Sequence, residues 1–600
     1  MGNCVIFQTM THTFHIPVLG LAFSIDSPIK VAQYGISSVI SIVDDELIER
    51  MRKYYASQIG KLFTGISSQE EDARAKRITA YLDLVQDIVT SQIEELKKST
   101  QEISDSLKKY IDLQPTHSPM REAYTQYLTE NSSEKKHFIL SDLLTNIKAG
   151  SIDVNIMSKV DKINYDKKGN ELDAYYSDAS AALRGFVNSK IKSSVVLSAG
   201  MNPRLYSYIA ELPQFLPNIN GGFDKKITLK VSDYRSALIQ AKFLAKKGVW
   251  ISEYRVESGL NCGGHAFATD GFLLGPILDE FKQKRAQLQE ELFPLYHAAL
   301  LDKKIKLEKA PTIKITAQGG IGTAAEQNFL LNHYELDATG WGSPFLLVPE
   351  ATTVDDNTLN NLATAKAEDF YISGASPLGV PFNNFKKSTS EILRESRIQK
   401  GRPGAPCTKK YLVTPSNYQH EPMCSASRIY QHLKIAELQE LQLNEESYAT
   451  KLAEITEKTC LCEGLANAAY LKYNILEKKE SDTVAICPGP NTAYFDRVYS
   501  LQEMVDHIYG RQDLLNHVER PSLFINELRL YIAHLTKYIH THQRNLDTKK
   551  EKYILKFKEE LLSGITYYRN IRTALFEVNS IEYHNFNMQL EEAENQITSL

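Results

Sequence analysis

The sequence contains no apolar run approaching the roughly 20 residues that a membrane-spanning helix needs, no internal repeat and no low-complexity tract. It has no block of charge of one sign. Its 69 Lys and Arg are interspersed with 73 Asp and Glu, for a formal net charge of −4, which leaves no electrostatic footprint for nucleic acid or an anionic membrane. Cysteine is scarce and odd in number, seven in 600 residues. That argues against a secreted disulfide framework and for a reducing cytoplasm. The N-terminus has no basic segment followed by an apolar stretch. Met1-Gly2-Asn3-Cys4-Val5-Ile6 carries Ile rather than Ser or Thr at position 6, against N-myristoylation. What is present is a globular composition, 42% hydrophobic and 24% charged, enough for a large core and at least two structural regions. A cytoplasmic protein acting on a small molecule is expected.

The second signal is a rhythm of short apolar segments. Strands are expected at Ile16–Ala22, Ser38–Val43, Ile152–Met157, Ser194–Ala199, Ile227–Val231 and Val249–Ser252, and before Gly319 and Gly340. A helix starts at Ser27-Pro28 and stops at Gly35, and another runs from Tyr234 to Lys247 with Gly248 as its stop. Between Asp44 and Gly150 the pattern changes to long charged helices, too much for an ordinary strand-to-helix connection. Eight strands with helices between them predict an α/β fold, a (β/α)8 TIM barrel with a long helical insertion after strand 2 and a helical C-terminal extension. An open doubly wound sheet would alternate in the same way. The expected boundaries are 12–45 and 150–375 for the barrel, 46–149 for the insertion, 376–490 for a loop-rich extension on the barrel and 491–600 for a helical C-terminal region. In that last region Leu528, Ile532, Leu535 and Ile539 form a helical stripe, which reads as core or a partner-helix face.

In a barrel, chemistry sits at the C-terminal ends of the strands, and the loops after strands 7 and 8 commonly hold phosphate. Gly319-Gly320 and Gly340-Trp341-Gly342-Ser343 fall at those ends. Glycine lets backbone N–H groups approach a phosphate, and the helix that follows adds its dipole; Thr323 and Ser343 add hydroxyls. The plainer reading is two tight turns. Lys230, near the end of strand 5, can neutralise an electron-rich ring or a phosphate if it points into the mouth, or be solvated if it points out. Asn155 offers a polar contact to a ring edge. The turn Glu257-Ser258-Gly259-Leu260-Asn261-Cys262-Gly263-Gly264-His265 ends on a titratable side chain, which suits a base or substrate-orienting role, although a lone His is commonly structural. Cys262 has no evident base to make it a nucleophile. Cys407, Cys424, Cys460, Cys462 and Cys487 match no standard metal or iron–sulfur spacing, so they read as buried free thiols and no metal site is expected.

The segment Glu257 to His265 followed by Gln318-Gly319-Gly320-Ile321-Gly322 resembles the nitronate monooxygenase (2-nitropropane dioxygenase-like) family of FMN-dependent TIM barrels. Flavin-dependent enoyl-ACP reductases share much of the pattern. Lys458-Thr459-Cys460-Leu461-Cys462-Glu463-Gly464-Leu465 is similar to a segment of bacterial proteins grouped with that family. The resemblance covers about 12–45 and 150–375, more weakly the stretch to about 490. It implies FMN at the strand ends with its phosphate on Gly319, Gly320, Gly340 and Gly342, and His265 as the active-site histidine. The full set expected at the cofactor is Ala22, Asn155, Lys230, Gly263, Gly264, Gly319, Gly320, Gly340, Gly342 and Ser343. The implied activity is that of a flavoprotein oxidoreductase, a monooxygenase oxidising a small activated carbon acid with the flavin as electron acceptor. An enoyl reductase driven by NAD(P)H is one alternative. Another is a non-catalytic barrel whose helical additions bind a partner or form homo-oligomers. Asn261-Cys262 departs from the acidic and small residues usual before Gly-Gly-His, and Ala266-Phe267 follows His265 where the family has glycine.

Overall fold

A computed structural model describes residues 12–98, 102–159, 161–166, 170–263, 271–418, 422–542 and 547–600. Eight parallel strands run in order around the molecule: β1 (Phe14–Ile16), β2 (Ser37–Ser41), β3 (Ile152–Asn155), β4 (Ser194–Leu197), β5 (Lys226–Val231), β6 (Glu253–Glu257), β7 (Lys314–Gln318) and β8 (Ala338–Gly340). β1 pairs with both β2 and β8, so the sheet closes on itself. This is the expected (β/α)8 barrel, and closure rules out the open doubly wound sheet.

Two strands sit elsewhere than expected. β1 ends at Ile16, and Pro17 to Ala22 form the loop beyond it. Gly20 there has φ +151, and an added Cβ would lie 2.6 Å from the Phe23 ring. β6 begins at Glu253, two residues after the end of the apolar Val249-Trp250-Ile251 run. That run is buried as the approach to the strand, with residues at 2–3% exposure, whereas the ladder aligns Thr228 with Glu253 and Lys230 with Arg255. The helix at Ser27–Val31 has Asp26 rather than Ser27 at its cap, and a short 3-10 turn carries it to Gly35 at φ +79.

Strand alternation explains why β6 was displaced. Tyr254 and Val256 face the helices and belong to the main core. Glu253, Arg255 and Glu257 face the barrel axis. Arg255 Nη2 lies 2.7 Å from Glu253 and 3.5 Å from Asp153 on β3, across the interior. Ser193 Oγ donates to Asp153 at 2.6 Å and Thr316 Oγ1 to Glu253 at 2.6 Å. Burial works against the Arg255 charge, but these carboxylates outweigh it and hold its pKa above the ordinary value. An unpaired ion here would be costly. Beside it, burial and the Arg255 charge hold the His15 pKa well below the usual range.

The insertion divides in two. Helices Asp45–Gln58 and Ala73–Leu96 coat the barrel, the latter against Asp178–Asn188, where a Cβ on Gly185 would lie 2.4 Å from Ile78. Helices Asp105–Asp112, Pro119–Thr129 and Ser133–Asn146 make a second core from Leu107, Tyr110, Ile111, Leu140 and Leu143. At the other end, helices Leu523–His542, Thr548–Leu575 and Ile581–Ser599 join the main core beside Leu274–Asp302. Leu528, Ile532 and Leu535 are buried there and Ile539 packs against them, so the stripe serves the core. No helix among the described residues is long and apolar enough to cross a membrane.

Candidate active site at the mouth of the barrel

A cavity of about 170 Å³ opens at the C-terminal ends of β1 to β6. Its floor is barrel: Val18, Leu19 and Leu21 from the loop after β1, Ser41 at the end of β2 and Val43 beyond it, Asn155 at the end of β3 and Met157 beyond it, Lys230 on β5 and Glu257 on β6. Its roof is the extension: Leu378, Val380, Phe382, Leu412, Leu461 and Leu465. A smaller cavity of about 60 Å³ lies among His12, Tyr110 and Gln114, away from these ends. The roof is fastened to the barrel by Lys409, paired with Asp44, and by Tyr411, whose hydroxyl donates to Asp44 at 3.1 Å. Asp44 also caps the helix Asp45–Gln58. Burial and the Asp44 charge push the Tyr411 phenol well above its ordinary pKa.

The wall is apolar with one polar focus. Glu257 Oε1 accepts from Asn261 Nδ2 and Gln318 Nε2, each at 2.7 Å, and from Lys230 Nζ at 3.1 Å. The Lys230 and Glu257 side chains are 12% and 4% exposed, so the pair is close to desolvated and neither charge is screened by bulk water. Lys230 thus points into the mouth. Asn155, buried at the end of β3, is the second polar group on the wall, and Gly263 completes the rim beside Cys487.

Of the residues expected at a cofactor, Asn155, Lys230 and Gly263 come together on this cavity. Ala22 lies fully buried behind it, its N–H donating to the Leu465 carbonyl. Gly264 and His265 lie outside the described residues. Gly319, Gly320, Gly340, Gly342 and Ser343 do not line the cavity. Gly319 and Gly320 have φ +108 and +80, and added Cβ atoms would meet Asn261 N at 3.0 Å and Leu260 Cδ1 at 2.4 Å. A Cβ on Gly340 would lie 2.6 Å from Gln318, and one on Gly342 would lie 3.4 Å from Cys262. A Cβ on Gly489 would lie 2.7 Å from Ser343 Oγ. Thr323 caps the helix Ala324–His333, accepting from Glu326 N.

These positions test FMN in two halves. The ring half fits: a largely apolar cavity with Asn155 and Lys230 at its edge is what an isoalloxazine needs. The phosphate half does not, because the glycine loops after β7 and β8 are packed against the chain's own residues.

Lys230 and Asn155 were expected at the site from sequence; Glu257, Gln318 and the roof residues were not. Charges at every second residue in Glu253-Tyr254-Arg255-Val256-Glu257 were the available signal for an inward polar face. The Cys262 thiol donates to the Cys487 carbonyl at 3.1 Å, and burial pushes its pKa well up, so nothing there activates it. Cys407, Cys424, Cys460 and Cys462 line one narrow crevice beside the roof as free thiols. Among the described residues no group of three or more His, Cys, Asp or Glu is arranged to hold a metal ion.

The architecture defines a (β/α)8 barrel with a roofed cavity at the strand C-termini. No protein-family model matches the chain, and no curated protein matches it in sequence. Among solved structures, a nitroalkane oxidase from Streptomyces ansochromogenes aligns at 10% identity over 85% of this chain and 97% of that one, with a TM-score of 0.31. At that level the likeness carries no argument, and the fold rests on the closed sheet itself.

Proposed function

We propose that the chain is a flavin-dependent oxidoreductase of nitronate monooxygenase type, acting on a small activated carbon acid held in the mouth cavity. The supporting observation is the convergence of Asn155, Lys230 and Gly263, three of the residues expected at a cofactor, on one apolar cavity with a buried Lys230–Glu257 pair. In this reading the chain's part is to hold a flat ring between apolar floor and roof, to fix Lys230 through Glu257, and to keep water out. His265 is the residue assigned to proton handling. The test is the visible spectrum of the purified protein, alone and after incubation with flavin, followed by anaerobic mixing with an alkyl nitronate. Flavin bands that bleach with nitronate support the reading. Bleaching by NAD(P)H instead favours the enoyl reductase. With His265→Ala, the ring stays bound and turnover falls; unchanged turnover removes the role given to His265.

A second reading has one observation in its favour. The chain covers the ends of its own β7 and β8, as a barrel retained for a non-catalytic role could do. A colourless protein that takes up no flavin would select it.

A further inference from the structure

We infer that the ligand of the mouth cavity is a planar, largely apolar ring without a phosphate group, because the chain supplies its own anion and cation at the end of β7 and lays its own backbone at Gly489 against the end of β8. The flavin form of this inference rests on the proposed function above; the filling of the anion position does not.

The filling has three layers. First, the segment Cys487 to Asn491 lies across the strand ends. Gly263 N–H donates to the Cys487 carbonyl at 3.2 Å, and Asn491 Nδ2 donates to the Ile321 carbonyl at 2.9 Å. Gly489, at φ +73, lies so close to Ser343 Oγ and the carbonyls of Leu260 and Asn261 that a Cβ would find them at 2.7, 3.2 and 3.4 Å. Cys487 lines the cavity, so this segment stands between the cavity and the glycine loops.

Second, Arg520 occupies the β7 loop. Its Nη2 donates to the Gly320 carbonyl at 2.6 Å and its Nε to Asn491 Oδ1 at 3.0 Å. A Cβ on Gly322 would meet the guanidinium carbon at 2.6 Å. Third, Glu326 is already the anion there. Its Oε2 accepts from Gly322 N at 2.8 Å, and its Oε1 accepts from Arg520 Nη1 at 2.7 Å and Leu523 N at 2.6 Å. The Arg520 and Glu326 side chains are 4% and 11% exposed. A phosphate dianion would have to displace a buried carboxylate from a charge-assisted set of hydrogen bonds, and then lie against that carboxylate. His507 Nε2, bonded to the Gly322 carbonyl at 2.8 Å, closes the far side.

The test compares riboflavin with FMN on the full-length protein, by fluorescence quenching of the flavin at low ionic strength. Riboflavin should bind at least as tightly as FMN, within about twofold; FMN tighter by about tenfold overturns the inference while leaving the flavin reading intact. A separate arm uses inorganic phosphate at about 10 mM against chloride of equal ionic strength. No rise in melting temperature is expected, and a rise overturns the inference, since a ligand of the folded state must stabilise it. If neither flavin binds and phosphate has no effect, the filled anion position stands and the flavin reading falls. Glu326→Gln removes the competing charge while leaving the Thr323 cap. If that variant binds flavin at all, FMN should gain on riboflavin by about fivefold; an unchanged ratio counts against Glu326 as the resident anion.

Discussion

Replacing Glu527 with glutamine isolates a single buried proton beneath the β6 turn. Glu527 lies in the helix Leu523–His542 with no solvent exposure. Its Oε1 accepts from Ser258 Oγ and its Oε2 from Leu274 N, each at 2.7 Å, so it ties the turn after β6 to the start of the helix Leu274–Asp302. Burial outweighs those bonds and pushes its pKa up from 4.5 to about 7. Between those values the folded state keeps a proton that the unfolded state has released. The contribution is therefore whole below pH 4.5, declines as pH rises, and levels off above about 7. At 1.36 kcal/mol per pH unit the full loss is roughly 3 kcal/mol, and about 2.5 kcal/mol of it falls between pH 5 and pH 8. Glutamine does not titrate, keeps an acceptor for Leu274 N and turns Ser258 from donor to acceptor. Urea unfolding can be followed by tryptophan fluorescence, because Trp250 and Trp341 are both buried in the barrel region. The stability of Glu527→Gln relative to wild type should rise by about 2.5 kcal/mol from pH 5 to pH 8. An equal difference at both pH values would refute the raised pKa and with it the dry environment assigned to this turn.

Other substitutions test the mouth and its supports. Lys230→Met leaves Glu257 charged and without its cation, at a cost of about 3–5 kcal/mol in unfolding free energy; Lys230→Met with Glu257→Gln should recover most of it, read on the same unfolding curves. Leu378→Trp fills the cavity from the roof and should weaken flavin uptake by about tenfold or more with little change in melting temperature; retained uptake would place the ring elsewhere. Gly320→Val should lose folded protein even with no ligand present, since its Cβ would lie 2.4 Å from Leu260 Cδ1 at a positive φ. A well-folded variant would contradict the packed loop. The hydrogen bond with Cys424 holds the Cys407 thiol below the ordinary thiol pKa, while burial pushes Cys462 up to about 12. Alkylation at pH 7, mapped by peptide mass spectrometry, should therefore reach Cys407 well before Cys462.

The barrel was legible because its signals are local. Short apolar segments, each followed by a helix, can be counted from sequence, and Gly35 and Gly248 mark helix ends that the backbone confirms at φ +79 and +76. The position of β6 was not legible from apolar content alone. Val249-Trp250-Ile251 is the more hydrophobic run, yet the strand is Glu253–Glu257, where charges recur with period two because the barrel axis is lined with ions. An alternating charged strand looks like a surface strand until its partners Asp153, 102 residues away from Arg255 in sequence, and Thr316 are known. Lys230 and Asn155 could be chosen in advance because a polar residue at a strand end is itself a local anomaly.

The glycine loops show where such reading stops. Glycine at a strand end is required whenever something approaches the backbone closely, and a phosphate and a neighbouring segment of chain make the same demand. Gly319, Gly320 and Gly322 meet that demand toward Asn261, Leu260 and Arg520, residues up to about 200 positions distant in sequence, beyond any periodicity. The helix N-terminus that follows β7 would draw an anion, and it does, but Glu326 one turn in is the anion it draws. A motif therefore fixes the space that something must fill, and only the packing around it identifies the occupant. At the barrel mouth that space is left open; at β7 the protein has closed it with its own ion pair.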